Sequence, residues 1–229
     1  MSTTDPPELV ASAHAQPPAA VRAQLLATEH WSLLATRGLT WSEVMSRISI
    51  HLTVASASLV VLALVTQASG FGTAFHVLWI GLTSTVLVLG TMTGIRVHNA
   101  SLDDAALIIG MNRLRAGYIA LDPSLERYLV TSWHDDAAGV MTTYTMGNDR
   151  HIVSHVVGST SMFMTMTNTI VAGTLGALIA DASGGGPATV SVFGALAGLA
   201  YLAAMLEVGR RSFGRDRADT RFPTPRLTG

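Results

Sequence analysis

The chain contains no cysteine, which excludes disulfides, thiolate metal sites, iron–sulfur clusters and a cysteine nucleophile. It also contains no lysine, so all 14 basic residues are arginine, a bias that reads as the codon usage of a GC-rich genome. Charge is scarce: 13% of the 229 residues are charged, against about 25% in an average soluble domain. The 14 basic and 15 acidic side chains nearly cancel, so net charge points neither to nucleic acid nor to a strongly anionic partner. No phosphate-binding glycine loop, G-x-S-x-G elbow, kinase signature or dinucleotide fingerprint is present, which makes an enzyme the least favoured class. What is abundant is apolar: 49% of the residues are hydrophobic and the mean hydropathy is +0.41. That balance fits neither a soluble globular domain nor a disordered chain.

Apolar runs long enough to cross about 30 Å of hydrocarbon need roughly 20 helical residues. Four qualify, at about Ile48 to Val65, Phe75 to Ile95, Ile152 to Ala180 and Ala188 to Val208. The first residues form a polar, proline-containing tail with Pro6, Pro7, Pro17 and Pro18, unlike a cleaved secretory leader, so the mature chain is expected to begin near Met1.

Arginine placement predicts the threading, because cytoplasmic segments carry the excess of positive charge. Three arginines (Arg22, Arg37, Arg47) precede the first span, five lie between the second and third, and six follow the fourth. The short connections near Gln67 to Gly72 and Asp181 to Pro187 have none. Both termini and the central loop are therefore expected to be cytoplasmic. The second short connection carries Gly184-Gly185-Gly186-Pro187, with proline suited to a helix's first turn. The expected fold class is an all-α integral membrane protein with four transmembrane helices as two hairpins, plus amphipathic cytoplasmic helices.

In residue terms this predicts a disordered polar tail over 1–19, an amphipathic interfacial helix over 20–41 carrying Trp31 and Trp41, and a first transmembrane hairpin over 42–96. A cytoplasmic helical linker follows over 97–150, then a second transmembrane hairpin over 151–210 and a basic tail over 211–229. Within the linker, Ser101-Leu102-Asp103-Asp104 reads as a helix cap with acidic first-turn residues, opening a helix to about Ala120. Asp122-Pro123 reads as a second start, with a helix to about Trp133, and His134 to Asp149 reads as loop.

The most informative pattern is on the third span. Ser154, Gly158, Ser161, Thr165, Asn168, Ala172 and Gly176 follow at steps of three and four, so they share one small, polar helix face. The first span repeats this with Ser46, Ser49, Thr53 and Ser56. Such a face serves helix packing, where close backbone approach replaces a hydrophobic drive, or lines a water-filled path with Ser154, Ser161, Thr165 and Asn168 as its lining. Gly90/Gly94 and Gly194/Gly198 each satisfy G-x-x-x-G, compatible with dimerisation or bundle packing.

Ionisable residues gather at the arginine-bearing ends of the spans: Glu43 with Arg47, Glu207 with Arg211, and Arg96 at the same depth. The four-residue spacings suit pairs on one helix face, either as a snorkelling rim or as a vestibule that selects ions or binds anionic headgroups. His151 and His155 lie one turn apart, a spacing that presents two imidazoles to one metal, but the intervening residues lack the glutamate of the zinc-protease motif. They are ordinary interfacial histidines on the simpler reading, and no cofactor is expected. His51 and His76 read as hydrogen-bonded packing residues, and Asn168 is the deepest strongly polar side chain.

At Ala27-Thr28-Glu29-His30-Trp31-Ser32-Leu33-Leu34, Ser42-Glu43-Val44-Met45-Ser46-Arg47 and Ile109-Gly110-Met111-Asn112-Arg113-Leu114-Arg115, the chain resembles a group of small actinobacterial membrane proteins with no established activity. The resemblance covers about the first two-thirds and implies a bacterial plasma membrane and four spans. It transfers no functional residue. The expected function is an oligomeric channel-like or transport-related protein with the third span lining the path. The rival is a non-conducting scaffold that recruits a cytoplasmic protein or anionic lipid through its linker and basic tail. The expected partners are the bilayer and further copies of the chain, with no nucleic acid.

Overall fold

The computed structural model describes residues 17–148 and 158–216. Its elements are all helical among the described residues: α1 (Ala19–Ser69), α2 (Thr73–Leu121), a 3-10 helix (Pro123–Tyr128), α3 (Ala137–Thr145), α4 (Thr160–Ala182) and α5 (Pro187–Asp216). Four of these, α1, α2, α4 and α5, are long and apolar enough to cross a membrane. A helix satisfies its backbone hydrogen bonds internally, which hydrocarbon requires of any span.

The chain divides into two units, one formed by residues 1–36 and 107–147, the other by 37–106 and 148–229. In the second unit, the buried positions of α2 recur at steps of three and four: Thr83, Val86, Gly90, Thr93, Val97, Ala100 and Asp104. That spacing is a single helix face. Towards its arginine-bearing end it packs with Val44, Ile48 and Met164 into an apolar core edged by Trp41. By contrast α5 exposes Val192, Phe193, Leu196 and Leu199, the surface a lipid-facing helix offers.

The α4–α5 contact is made by glycine. A Cβ at Gly173 would sit 3.1 Å from the Gly194 carbonyl oxygen, one at Gly198 3.2 Å from that of Thr169, and one at Gly176 2.9 Å from that of Phe193. The backbones touch, so the Gly194/Gly198 pair serves packing within this chain. Pro187 opens α5 as expected, and Gly184 turns the chain before it at φ 82°.

Several boundaries differ from the sequence expectation. No break separates 20–41 from the first span, because α1 carries both. Likewise α2 runs through Ser101, whose hydroxyl donates to the Val97 carbonyl 2.9 Å away instead of capping a new helix. Serine bonds back to residue i−4 when the backbone ahead of it is already helical. Asp122 does cap, accepting from the Ser124 amide, yet the element it opens is a six-residue 3-10 helix ending at Tyr128, not a helix to Trp133. The segment expected as loop after His134 contains α3, capped by Asp136, whose side chain accepts from the Gly139 amide at 2.7 Å. In α4 the described helix starts at Thr160, with Ser159 as its cap. Ser154, His151 and His155 lie outside the described residues.

In the first unit, Asn112 anchors the segment around α3. Its amide donates to the His134 carbonyl at 2.7 Å, and its oxygen accepts from Arg115 at 2.7 Å and Thr143 at 3.0 Å. Arg113 adds an ion pair to Asp135 at 2.7 Å. A Cβ at Gly139 would collide with the His134 backbone, so only glycine lets the chain fold over itself there.

Candidate functional site: a buried polar niche in the spanning bundle

Two of the helices long and apolar enough to span a membrane, α1 and α4, each bring a polar side chain to one place on α2 in the second unit. His51 on α1 is 2% exposed and Asn168 on α4 is 1% exposed. Both lean against Gly90 of α2, where a Cβ would fall 2.7 Å from His51 Cε1 and overlap the Asn168 oxygen. Gly90 is therefore the opening through which the two side chains meet. One turn on, a Cβ at Gly94 would lie 3.8 Å from Asn168 Nδ2, an ordinary contact.

Neither side chain has a hydrogen-bond partner among the described residues. His51 Nδ1 and Nε2 and Asn168 Oδ1 and Nδ2 are all buried and unbonded. Burying such a group unpaired costs on the order of 1–3 kcal/mol even in soluble proteins. The protons of the Thr93 and Thr165 hydroxyls go to their own helices' carbonyls, those of Leu89 and Ser161. The nearest buried residues along the three helices are apolar in both directions: Ile48, Val97 and Met164 towards the arginine-bearing end, and Val86 and Ala172 the other way. The niche's chemistry is that of a neutral imidazole and a carboxamide, which together offer both donors and acceptors.

Of the expected path-lining residues, Asn168 is thus fully covered inside its own chain, while Ser161 and Thr165 are half-buried on the same helix. The polar face of α1 points elsewhere. Ser46, Ser49, Thr53 and Ser56 are exposed, with Ser49 and Thr53 donating to the Met45 and Ser49 carbonyls. His51 was missed as a partner of Asn168. The sequence signal existed: His51 sits away from the hydroxyl stripe of its helix, and Gly90 is the small residue that a bulky neighbour requires.

The inner-rim charges pair as their spacing predicts, with additions. Glu43 accepts from Arg47 at 2.9 Å and from Arg96 at 2.7 Å, and Arg96 also lies 3.7 Å from Asp103. The Arg96 hydrogen bond, then that of Arg47, holds the Glu43 carboxyl below the ordinary range. Glu207 accepts from Arg211 at 2.6 Å and also from Arg210 at 2.8 Å. A buried charge that the spacing did not reveal is Asp104, which accepts from Arg37 at 2.6 Å and from the Trp41 indole at 2.8 Å. Trp41 therefore spends its polar edge on a protein carboxylate.

The first unit has an open groove of about 250 Å³ lined by Ala27, His30, Trp31, Leu34 and Tyr118. His30 stacks on Tyr118 with ring centres 5.9 Å apart, and burial, then the nearby Arg115 charge, lowers its pKa. Among the described residues, no group of three or more histidines and carboxylates could hold a metal ion.

No family model matches the chain, and no curated protein or solved structure is significantly similar to it. Four helices long and apolar enough to span the bilayer make it a candidate multi-pass membrane protein.

Proposed function

We propose that this chain is a transport-related protein of a bacterial plasma membrane, threaded as two hairpins with both termini inside, and that its bundle holds a small uncharged solute between His51 and Asn168. The carrying observation is the pair of buried side chains whose four hydrogen-bonding atoms have no partner. A solute with a donor and an acceptor satisfies both once the helices part to admit it, since a Cβ at Gly90 already overlaps Asn168 in the packed bundle. A neutral imidazole and a carboxamide favour an uncharged solute over an ion.

On this reading α4 still lines the path, with Ser161 and Thr165 leading towards Asn168, but the path runs within one bundle and not along an axis between copies. The apolar layers on either side mean that the solute is occluded and released by helix movement, as in a carrier. The exposed hydroxyl face of α1 supports a homo-oligomer, since a second copy would cover Ser46, Ser49, Thr53 and Ser56.

Reconstitution into liposomes tests the reading. Stopped-flow light scattering is expected to show faster water or small-amide permeation than in empty vesicles, with Asn168→Leu and His51→Phe each returning it to background. Gly94→Ala should leave it intact. Wild-type vesicles no more permeable than empty ones overturn the proposal.

The groove lined by Trp31 and Tyr118 favours a second reading, a scaffold that docks a cytoplasmic partner there. Lysate capture lost on Trp31→Ala but kept on Asn168→Leu, with no permeation, would select it.

A further inference from the structure

At the opposite, arginine-free end, a different pair of side chains ties α2 to α4. His76 Nε2 lies 2.9 Å from Asp181 Oδ2, while Nδ1 of the same ring lies 3.2 Å from the Gly72 carbonyl oxygen in the turn before α2. Both partners are acceptors only, because an ionised carboxylate and a backbone carbonyl have no proton to give. A neutral imidazole carries one N–H, so it can serve one of them and must turn a lone pair towards the other. Only the doubly protonated ring satisfies both contacts at once.

Among the described residues of the four long helices, the pair stands apart from other charges. In α1 from residue 52 to 69 there is no titratable side chain, in α2 from 73 to 95 His76 is the only one, and in α4 Asp181 is the only one. In α5 the first is Tyr201, which bonds to Thr91 at 3.0 Å. The rings around His76 are Phe75 and, beyond it, Phe71 and Trp79, none of which takes a proton in the physiological range. Solvent can reach the pair, since the His76 side chain is 22% exposed and that of Asp181 54%.

We propose that His76 and Asp181 form a proton-operated latch that binds the turn before α2 to the end of α4. With the ring charged, His76 holds the turn through Nδ1 and α4 through a charge-assisted bond from Nε2. When the proton leaves to bulk water, the single remaining N–H serves either the Asp181 carboxylate or the Gly72 carbonyl and the other contact is lost, so the tie between the two helix ends loosens. The latch is closed when the ring carries its second proton and open when it has lost it. It stands on its own geometry and is independent of the solute reading.

Because the chain lacks cysteine, spin labels can be placed at will. Ala74→Cys and Ala182→Cys, both at exposed positions, report the α2–α4 separation in full-length protein in lipid nanodiscs by double electron–electron resonance. At pH 5.5 the distance distribution should be narrow, and at pH 8 at least twofold broader. Asp181→Asn should be broad at both pH values. His76→Gln keeps one donor for Asp181 but has no titrating proton, so its distribution should not respond to pH. A wild-type distribution that is the same at both pH values overturns the latch, as does an Asp181→Asn variant that retains the full pH response.

Discussion

Gly90→Ala is the sharpest probe of the niche. The added methyl would overlap the Asn168 carboxamide and press on the His51 ring, and both side chains are already packed on all sides. Overpacking of this kind costs about 1–3 kcal/mol, offset by the gain of about 1 kcal/mol for alanine over glycine inside a helix. Gly94→Ala, four residues along the same helix, carries the same propensity gain but meets nothing closer than 3.8 Å. The propensity terms cancel in the comparison, so Gly90→Ala should be less stable than Gly94→Ala by about 1–3 kcal/mol. Unfolding in mixed micelles of rising SDS fraction gives the two free energies directly. Adding Asn168→Ala to Gly90→Ala removes the clashing group and should recover at least about 1 kcal/mol as a coupling between touching residues. Equal stabilities for the two alanine variants, or strictly additive effects in the double variant, would refute the convergence of His51, Gly90 and Asn168.

Other outcomes follow from the same packing. Asp104→Ala removes a carboxylate that is 3% exposed and leaves Arg37 and the Trp41 indole without it; the loss should be about 2–3 kcal/mol, towards the low side for a buried pair because Arg37 is itself 34% exposed. Gly176→Val should undock α5, since the branched side chain meets the Phe193 carbonyl and Ala197, and limited proteolysis between α4 and α5 should then become faster. Asn112→Ala should raise hydrogen exchange over residues 134–145 about tenfold or more, because it cuts two hydrogen bonds to that segment at a typical net value of about 1 kcal/mol each. Arg96 and Arg47 lower the Glu43 pKa, so their stabilising effect is complete above pH 4.5 and is lost as pH falls through the depressed value; Glu43→Gln should flatten acid unfolding in that window.

The rim pairs were legible from spacing because a helix puts residues four apart on one face whatever surrounds it, and Glu43–Arg47 and Glu207–Arg211 needed nothing more. The linker was legible in part. Asp122 and Asp136 cap helices as aspartates do, yet the lengths that follow depend on what each segment packs against. Ser101 has the same credentials as a cap but lies on a helix face continuous with Val97 and Asp104, so the helix runs through it.

Hydropathy alone determined that four segments are long and apolar enough to cross a membrane, because hydrocarbon demands about 20 apolar residues with every backbone group paired within the helix. That requirement is local and is written along the chain. Which polar side chains meet is a property of three helices at once. The small face of α4 looked uniform in sequence, but the packed bundle sends Asn168 to His51 through the gap at Gly90, and Gly176 to the backbone of α5. Only tertiary structure could decide that, because a helix's periodicity says which residues share a face and never what that face will touch.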